Sequence, residues 1–238
     1  MRRLLIRAAS IAAASTAVAA MVPTATAVAA QELSFRPLHY NINGYNWGGY
    51  AATGSGFSSV SATWTEANAT CNSTSDLYAP WVGIDGYGSS TVEQTGVATD
   101  CSSGRAVHQA WYEMYPKSPV YLSTSSYPVS AGDSIHAAVT YVSGRTYKLT
   151  LSSSRGWTFS TSQSISASRT SAEVIIESPT GAYPNFGTLN FTSATVNGRS
   201  LGSFGPTALD PSSGGAYEAT TSALGSSGTS FSMRYLRE

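Results

Sequence analysis

The property that most restricts this chain is a two-residue rhythm. In "SSVSATWTEA" (58–67), Val60, Ala62 and Trp64 fall on one side and Ser59, Ser61, Thr63 and Thr65 on the other. A β-strand does this, because successive side chains point to opposite faces of the sheet. The same alternation, rich in β-branched and aromatic residues, returns in "SIHAAVTYVSG", "TYKLTLSSS", "WTFSTSQSI", "LNFTSATVNG" and "TSFSMRYLRE". Clusters of Gly, Ser, Pro and Asn separate the segments at regular intervals, and outside the N-terminal segment no stretch keeps a helical period for a useful length. Many short strands with evenly spaced turn signals predict an all-β sandwich or barrel. "TVNGRSL" carries an Asn-Gly pair between two strand patterns, the strongest short hairpin signal. The Ser/Gly-rich stretch "DPSSGGAYEATTSALGSSGTS" reads as a long loop. At 238 residues the chain can bury one sizeable core, so a single domain is expected.

The first 29 residues combine Arg2, Arg3 and Arg7 with a short alanine-rich apolar middle and small residues at A-x-A spacing. That is the pattern of a secretory signal peptide, too weakly apolar to remain as a membrane span. The expected organisation is a signal peptide over 1–29, a connector over 30–44 and a β-sandwich body over 45–238, released as a secreted, extracellular monomer with no membrane attachment. Removing the signal takes away three arginines and no acids, leaving the mature chain mildly negative. This argues against a nucleic-acid partner. The only two cysteines, Cys71 and Cys101, are expected to pair in an exported chain. The bridge would close a loop of about 30 residues and stabilise by roughly 3–4 kcal/mol.

Alternation also says which chemically useful side chains share a face. Trp81, Gly83 and Asp85 do so in "PWVGIDG"; Val92, Gln94 and Gly96 in "VEQTG"; Trp111, Glu113 and Tyr115 in "AWYEMYP". In "SAEVIIES", Glu173, Ile175 and Glu177 oppose the apolar set Ala172, Val174 and Ile176. A solvated face rarely repeats tryptophan beside acids and amides, and a closed core rarely accepts the acids. The mixture points to a cleft lined by one sheet. Three histidines with no H-E-x-x-H give no zinc site, and there is no phosphate-binding loop. The G-x-S-x-G match around Ser200 follows a hairpin turn and not a strand entering a helix, so it is read as chance. No metal or other cofactor is expected.

"NWGGY", "WVGIDG", "EQTGV", "AWYEMYP", "AGDSI" and "SAEVIIES" occur in order and at spacings that resemble the signature segments of the glutamic peptidases, the eqolisin family. The likeness runs from about residue 45 to about residue 200. It implies a sandwich of two antiparallel sheets of the concanavalin-like jelly-roll type, with a catalytic cleft on the concave sheet. It also implies metal-independent endopeptidase activity on polypeptide substrates. The family's catalytic glutamine falls on Gln94 and its catalytic glutamate, the second acid of its segment, on Glu177. Supporting positions fall on Trp81, Asp85 and Glu113, with Glu173 expected to bind or support. The chain departs from the family pattern at "VATDC", where the acid is displaced to Asp100. It departs again at Gln109, where an acid is common, and at Val174, where the family has an aromatic. Two other functions fit such a cleft: a β-sandwich glycoside hydrolase pairing Glu113 with Glu177 and using Gln94 to bind sugar, or a carbohydrate-binding module without catalysis.

Overall fold

The computed structural model describes residues 41–238. The expected signal peptide and residues 30–40 of the connector lie outside the described residues. Two large sheets pack face to face, as the alternation and the resemblance require. The first runs in the order Ile42–Asn43, Thr207–Asp210, Trp47–Thr53, Ser171–Glu177, Leu77–Ile84, Val92–Asp100, Val107–Tyr115, Val120–Tyr121. The second runs Thr158–Ser164, Thr146–Ser153, Ser134–Ser143, Ser59–Thr65, Thr188–Val196, Phe231–Tyr235, Ala219–Thr221. All pairings within the second sheet are antiparallel. In the first, Ile42–Asn43 joins Leu209–Asp210 in parallel. These residues fall in the expected connector, so the paired chain begins a little before Tyr45.

Between the sheets, Val82, Ile84, Val97, Val174 and Ile176 meet Val60, Trp64, Ile135, Leu149, Phe191 and Phe231 in one buried cluster. Burial of side chains this size stabilises by roughly 1.5–3 kcal/mol each. A second, smaller apolar cluster lies on the opposite face of the first sheet, formed by Ala51, Ala79, Trp81, Trp111 and Ile175 among others. The central strands of that sheet are therefore buried on both faces, and eight of the nine residues of Val92–Asp100 are buried. This explains why their sequences alternate less cleanly than those of the second sheet.

Local signals behave as expected. Asn197 and Gly198 both take positive φ, 48° and 71°, at the turn joining Thr195–Val196 to Arg199–Ser200. Ser200 thus belongs to a hairpin on the second sheet and is followed by the 3₁₀ turn Leu201–Phe204. Cys71 and Cys101 form a disulfide, with Cα atoms 5.7 Å apart. The C-terminal Ser/Gly-rich stretch differs from the expected loop. Ala219–Thr221 is a buried strand paired with Phe231–Tyr235. Asp210 holds it there, accepting from Thr221 N at 2.6 Å and Thr220 Oγ1 at 3.2 Å.

Candidate active site

The first sheet turns its second face away from the core, and its register aligns the candidate residues in rows. One row reads Ala51, Glu173, Gly83, Gln94, Glu113; the next reads Gly49, Ile175, Trp81, Gly96, Trp111. The third brings Trp47, Glu177 and Ala79 together. Over these rows opens a cavity of about 490 Å³ lined by Trp47, Gln94, Trp111, Glu113, Tyr115 and Glu177, with Val92, Pro179 and others around them. The face predicted for Gln94 and the face predicted for Glu113 both line it.

Gln94 and Glu113 are directly opposed across neighbouring strands. The Gln94 side-chain N–H donates to Glu113 Oε2 at 2.6 Å, a short bond of the kind a carboxylate accepts. Burial pushes the Glu113 carboxyl up, the Gln94 bond opposes that rise, and the charge of Glu177 adds to it. Glu177, at the end of its strand, is held from two sides. Asn46 Nδ2 donates to its Oε1 at 2.9 Å and Trp81 Nε1 to its Oε2 at 3.1 Å. Burial raises this carboxyl too, while hydrogen bonds from Trp47, Trp81 and Asn46 pull it back. The Trp47 and Trp81 rings meet edge to face at 4.9 Å, which fixes the indole that reaches Glu177.

Glu173 has a different setting. It is fully buried, and its Oε1 accepts the Tyr87 backbone N–H at 3.3 Å, with the Ser171 side chain also acting on the carboxyl. Its Oε2 has no partner, and burial drives its carboxyl well above the usual carboxylate range. Gly83 separates it from Gln94, and a Cβ there would lie 2.8 Å from Trp81 Cζ3 and 3.3 Å from Gln94 Cβ. The Trp81 ring therefore leans across the vacant position between the two side chains, and Gly83 is required for it to do so.

Asp85 lies just past its strand at φ 65° and does not line the cavity. Its carboxylate accepts Arg169 N at 2.7 Å, Thr170 N at 2.8 Å and Thr170 Oγ1 at 3.1 Å, bracing the entry to the Glu173 strand. Asn46 and Trp47 were not singled out by sequence reasoning, although both stand in "NWGGY". That segment supplies two donors to Glu177 because its strand is the direct neighbour of the Glu177 strand. Among the described residues, no group of three or more His, Cys, Asp or Glu side chains gathers as a metal site would need.

The site can thus present a fixed amide N–H and a fixed, half-buried carboxylate to one elongated cavity. Comparison with known proteins bears directly on that arrangement. The chain is similar in structure to scytalido-glutamic peptidase bound to a transition-state analogue inhibitor, at 29% identity and a TM-score of 0.70, covering 81% of this chain and 99% of that one. It is similar to SCP-B, an eqolisin in complex with the tripeptide Ala-Ile-His, at 28% identity and a TM-score of 0.65 with the same coverage. Aspergilloglutamic peptidase from Aspergillus niger matches at 28% identity and a TM-score of 0.59, covering 68% of this chain and 99% of that one. A search of curated proteins finds no match. The model of the Peptidase A4 family matches residues 45–235, which take in every strand of both sheets except Ile42–Asn43 and every residue of the cavity, so the chain belongs to the peptidase A4, or eqolisin, family and is a peptidase.

Proposed function

We propose that the chain is a secreted endopeptidase in which Glu177 is general base and then general acid, and Gln94 stabilises the oxyanion. A water between the two side chains gives a proton to the Glu177 carboxylate as its oxygen adds to the scissile carbonyl carbon. The carbonyl oxygen becomes an oxyanion. Gln94 Nε2 has two hydrogens; Glu113 takes one, and the other is free to donate to that oxygen. A neutral amide does this without titrating, whereas a carboxylate in its place would repel the charge. Glu177 then protonates the leaving nitrogen, the C–N bond breaks and the carbonyl reforms. Glu113 is a positioning residue that holds the amide in one orientation. The scheme calls on no metal, cofactor or covalent intermediate.

The observation that carries this reading is that Gln94 and Glu177 face one cavity while the Trp81 ring stands between Gln94 and Glu173. The donors on Glu177 favour its ionised form, the form a general base needs. Burial drives the Glu173 carboxyl well above the usual carboxylate range, against the bonds from Ser171 and Tyr87, which favours its protonated form. Glu177→Gln and Glu173→Gln keep shape and remove charge, so their turnover on a denatured protein substrate tests the assignment. Turnover is expected to collapse in the first and survive in the second; the reverse, with both proteins folded, would give the role to Glu173. Secretion is supported by the N-terminal pattern, and N-terminal sequencing of protein from culture medium tests it.

A further inference from the structure

We propose that Tyr183, which lies outside the cleft, is a positioning residue for the general base: its buried hydroxyl anchors Asn46 so that the Asn46 amide stays on Glu177. This rests on the reading of Glu177 given above. Tyr183 is fully buried, and neither it nor Asn46 lines the cavity. Its hydroxyl donates to Asn46 O at 2.7 Å, with a longer approach to Ile176 O at 3.4 Å. Asn46 in turn donates from Nδ2 to Glu177 Oε1 at 2.9 Å. A phenol in the core is thus joined to the reacting carboxylate through one intervening residue.

Asn46 needs such an anchor. It lies in the turn before Trp47–Thr53, outside the strand ladder, and follows Tyr45, which takes a left-handed φ of 59°. Trp47 is fixed by its pairing with Glu177 and by its edge-to-face contact with Trp81; Asn46 has neither. Its carbonyl oxygen instead accepts the Ser178 N–H, at 3.1 Å, and the Tyr183 hydroxyl, both from the segment that follows Glu177 in the chain. Tyr183 is itself held independently of Asn46. Its ring packs against Tyr78 and Phe186, with centroids 6.3 and 6.1 Å away, and its carbonyl accepts Asn72 Nδ2 at 3.0 Å, next to the disulfide-bonded Cys71. A phenylalanine would supply the same packing, so what the tyrosine adds is the bond to Asn46. Burial pushes its hydroxyl well above the usual phenol range, and the charges of Glu177 and Glu218 add to the rise, so Tyr183→Phe removes no charge. The acid whose charge meets that of Glu177 across the cleft, Glu113, is untouched by the substitution.

The test is the pH–rate profile of Tyr183→Phe on one peptide substrate, measured with and without Asn46→Ala. In the otherwise wild-type chain the acid limb of kcat should move up by about 0.3–0.5 pH unit, part of the roughly 0.4–1 unit that one lost hydrogen bond represents. On its plateau kcat should fall about three- to tenfold, a fraction of the loss that a 1 Å misplacement causes. KM should stay unchanged, because Asn46 touches the base and does not line the cavity. With Asn46 already alanine, Tyr183→Phe should move neither the limb nor kcat. The urea midpoint should nevertheless fall equally in both backgrounds, since the bond to the carbonyl of residue 46 is lost in each. The Ser178 N–H still holds that carbonyl, so the variant keeps its fold, and the same midpoint reports it. A tyrosine with a structural role alone would change the midpoint and nothing else. A wild-type profile in folded Tyr183→Phe, or a full shift that persists without the Asn46 amide, would overturn the positioning role while leaving the peptidase reading intact. Full activity in Glu177→Gln would instead overturn the assignment of the base, and the role of Tyr183 with it.

Discussion

Glu93 immediately precedes the catalytic candidate Gln94 and, one residue out of phase, points the other way, into the core. It is fully buried in register with Ile84 and Met114, and only a weak approach of the Thr91 side chain opposes the burial of its carboxyl. Burial, followed by the charge of Asp85, pushes its pKa from an ordinary 4.5 up to about 8. The folded state therefore holds a proton that the unfolded chain releases. The stability this contributes is fully present below about pH 4.5 and is lost as pH rises through 8. At 1.36 kcal/mol per pH unit, the difference between the acid and alkaline limits is roughly 5 kcal/mol, comparable with the whole stability of many domains. Glu93→Gln keeps the shape and removes the titration, leaving a buried amide that costs about 1–3 kcal/mol. The wild type should thus be the more stable protein near pH 4, and the variant the more stable by about 2–4 kcal/mol near pH 9. Urea midpoints followed by tryptophan fluorescence at several pH values measure the difference directly. Other raised acids are common to both proteins. The Glu93 charge is the least of the causes of the Glu173 rise, so losing it adds only slightly, and in the same direction, to the variant's gain at high pH. If the two stability curves stayed parallel from pH 4 to pH 9, the reasoning about Glu93 would be refuted.

The remaining expectations concern the site and its brace. Gln94→Ala should lose about 10²–10³ in kcat, the contribution of one oxyanion donor, while unfolding at the wild-type urea concentration; near-normal proteolysis by the folded variant would remove Gln94 from the mechanism. Asn46→Ala takes a donor from the charged form of Glu177, so the acid limb of the pH–rate profile should move to higher pH. An unmoved limb would show that Asn46 does not tune the base. Reducing Cys71–Cys101, which encloses Asp85 and Gln94 in its loop, should lower stability by roughly 3–4 kcal/mol, read as a drop in the urea midpoint; no drop would mean that the bridge does not brace this part of the chain.

Legibility in the sequence followed burial. Strands of the second sheet, wet on one face, wrote their position in plain alternation: Thr146–Ser153 buries Tyr147, Leu149 and Leu151 and turns Lys148 outward. Ser171–Glu177 is buried almost throughout because Ile175 packs beneath the cleft while Val174 and Ile176 fill the core. Its faces could still be assigned by parity, but its apolar run alone would not have distinguished strand from buried helix. Ala219–Thr221 was hidden altogether, because small and polar residues there are satisfied by Asp210 and by pairing with residues that composition cannot identify. The same carboxylate accepts both the backbone and side-chain N–H groups of Asn41, at 2.9 and 3.0 Å, tying the start of the described chain to its end.

The acids of the site show why parity could gather candidates but not assign them. Glu173 and Glu177 share one strand face and Asp85 lies on the same face of the neighbouring strand pattern, so the sequence presents them as equivalents. What separates them is the supply of hydrogen-bond donors and the access to the cleft. Asp85 takes three donors from the 169–170 backbone and hydroxyl and stays out of the cavity, which suits a fixed structural anion. Burial outweighs the bonds that Ser171 and Tyr87 make to Glu173 and that Thr91 makes to Glu93, so both carboxyls are raised and favour the protonated form. Glu177 alone combines donors from Asn46 and Trp81 with a place in the cavity wall. Those donors come from either side of its own strand, Asn46 from just before Trp47–Thr53 and Trp81 from Leu77–Ile84, and the indole reaches across only because Gly83 leaves room for it. A usable base is thus produced by strand order and one missing side chain, and both are properties of the folded sheet that a strand read singly does not contain.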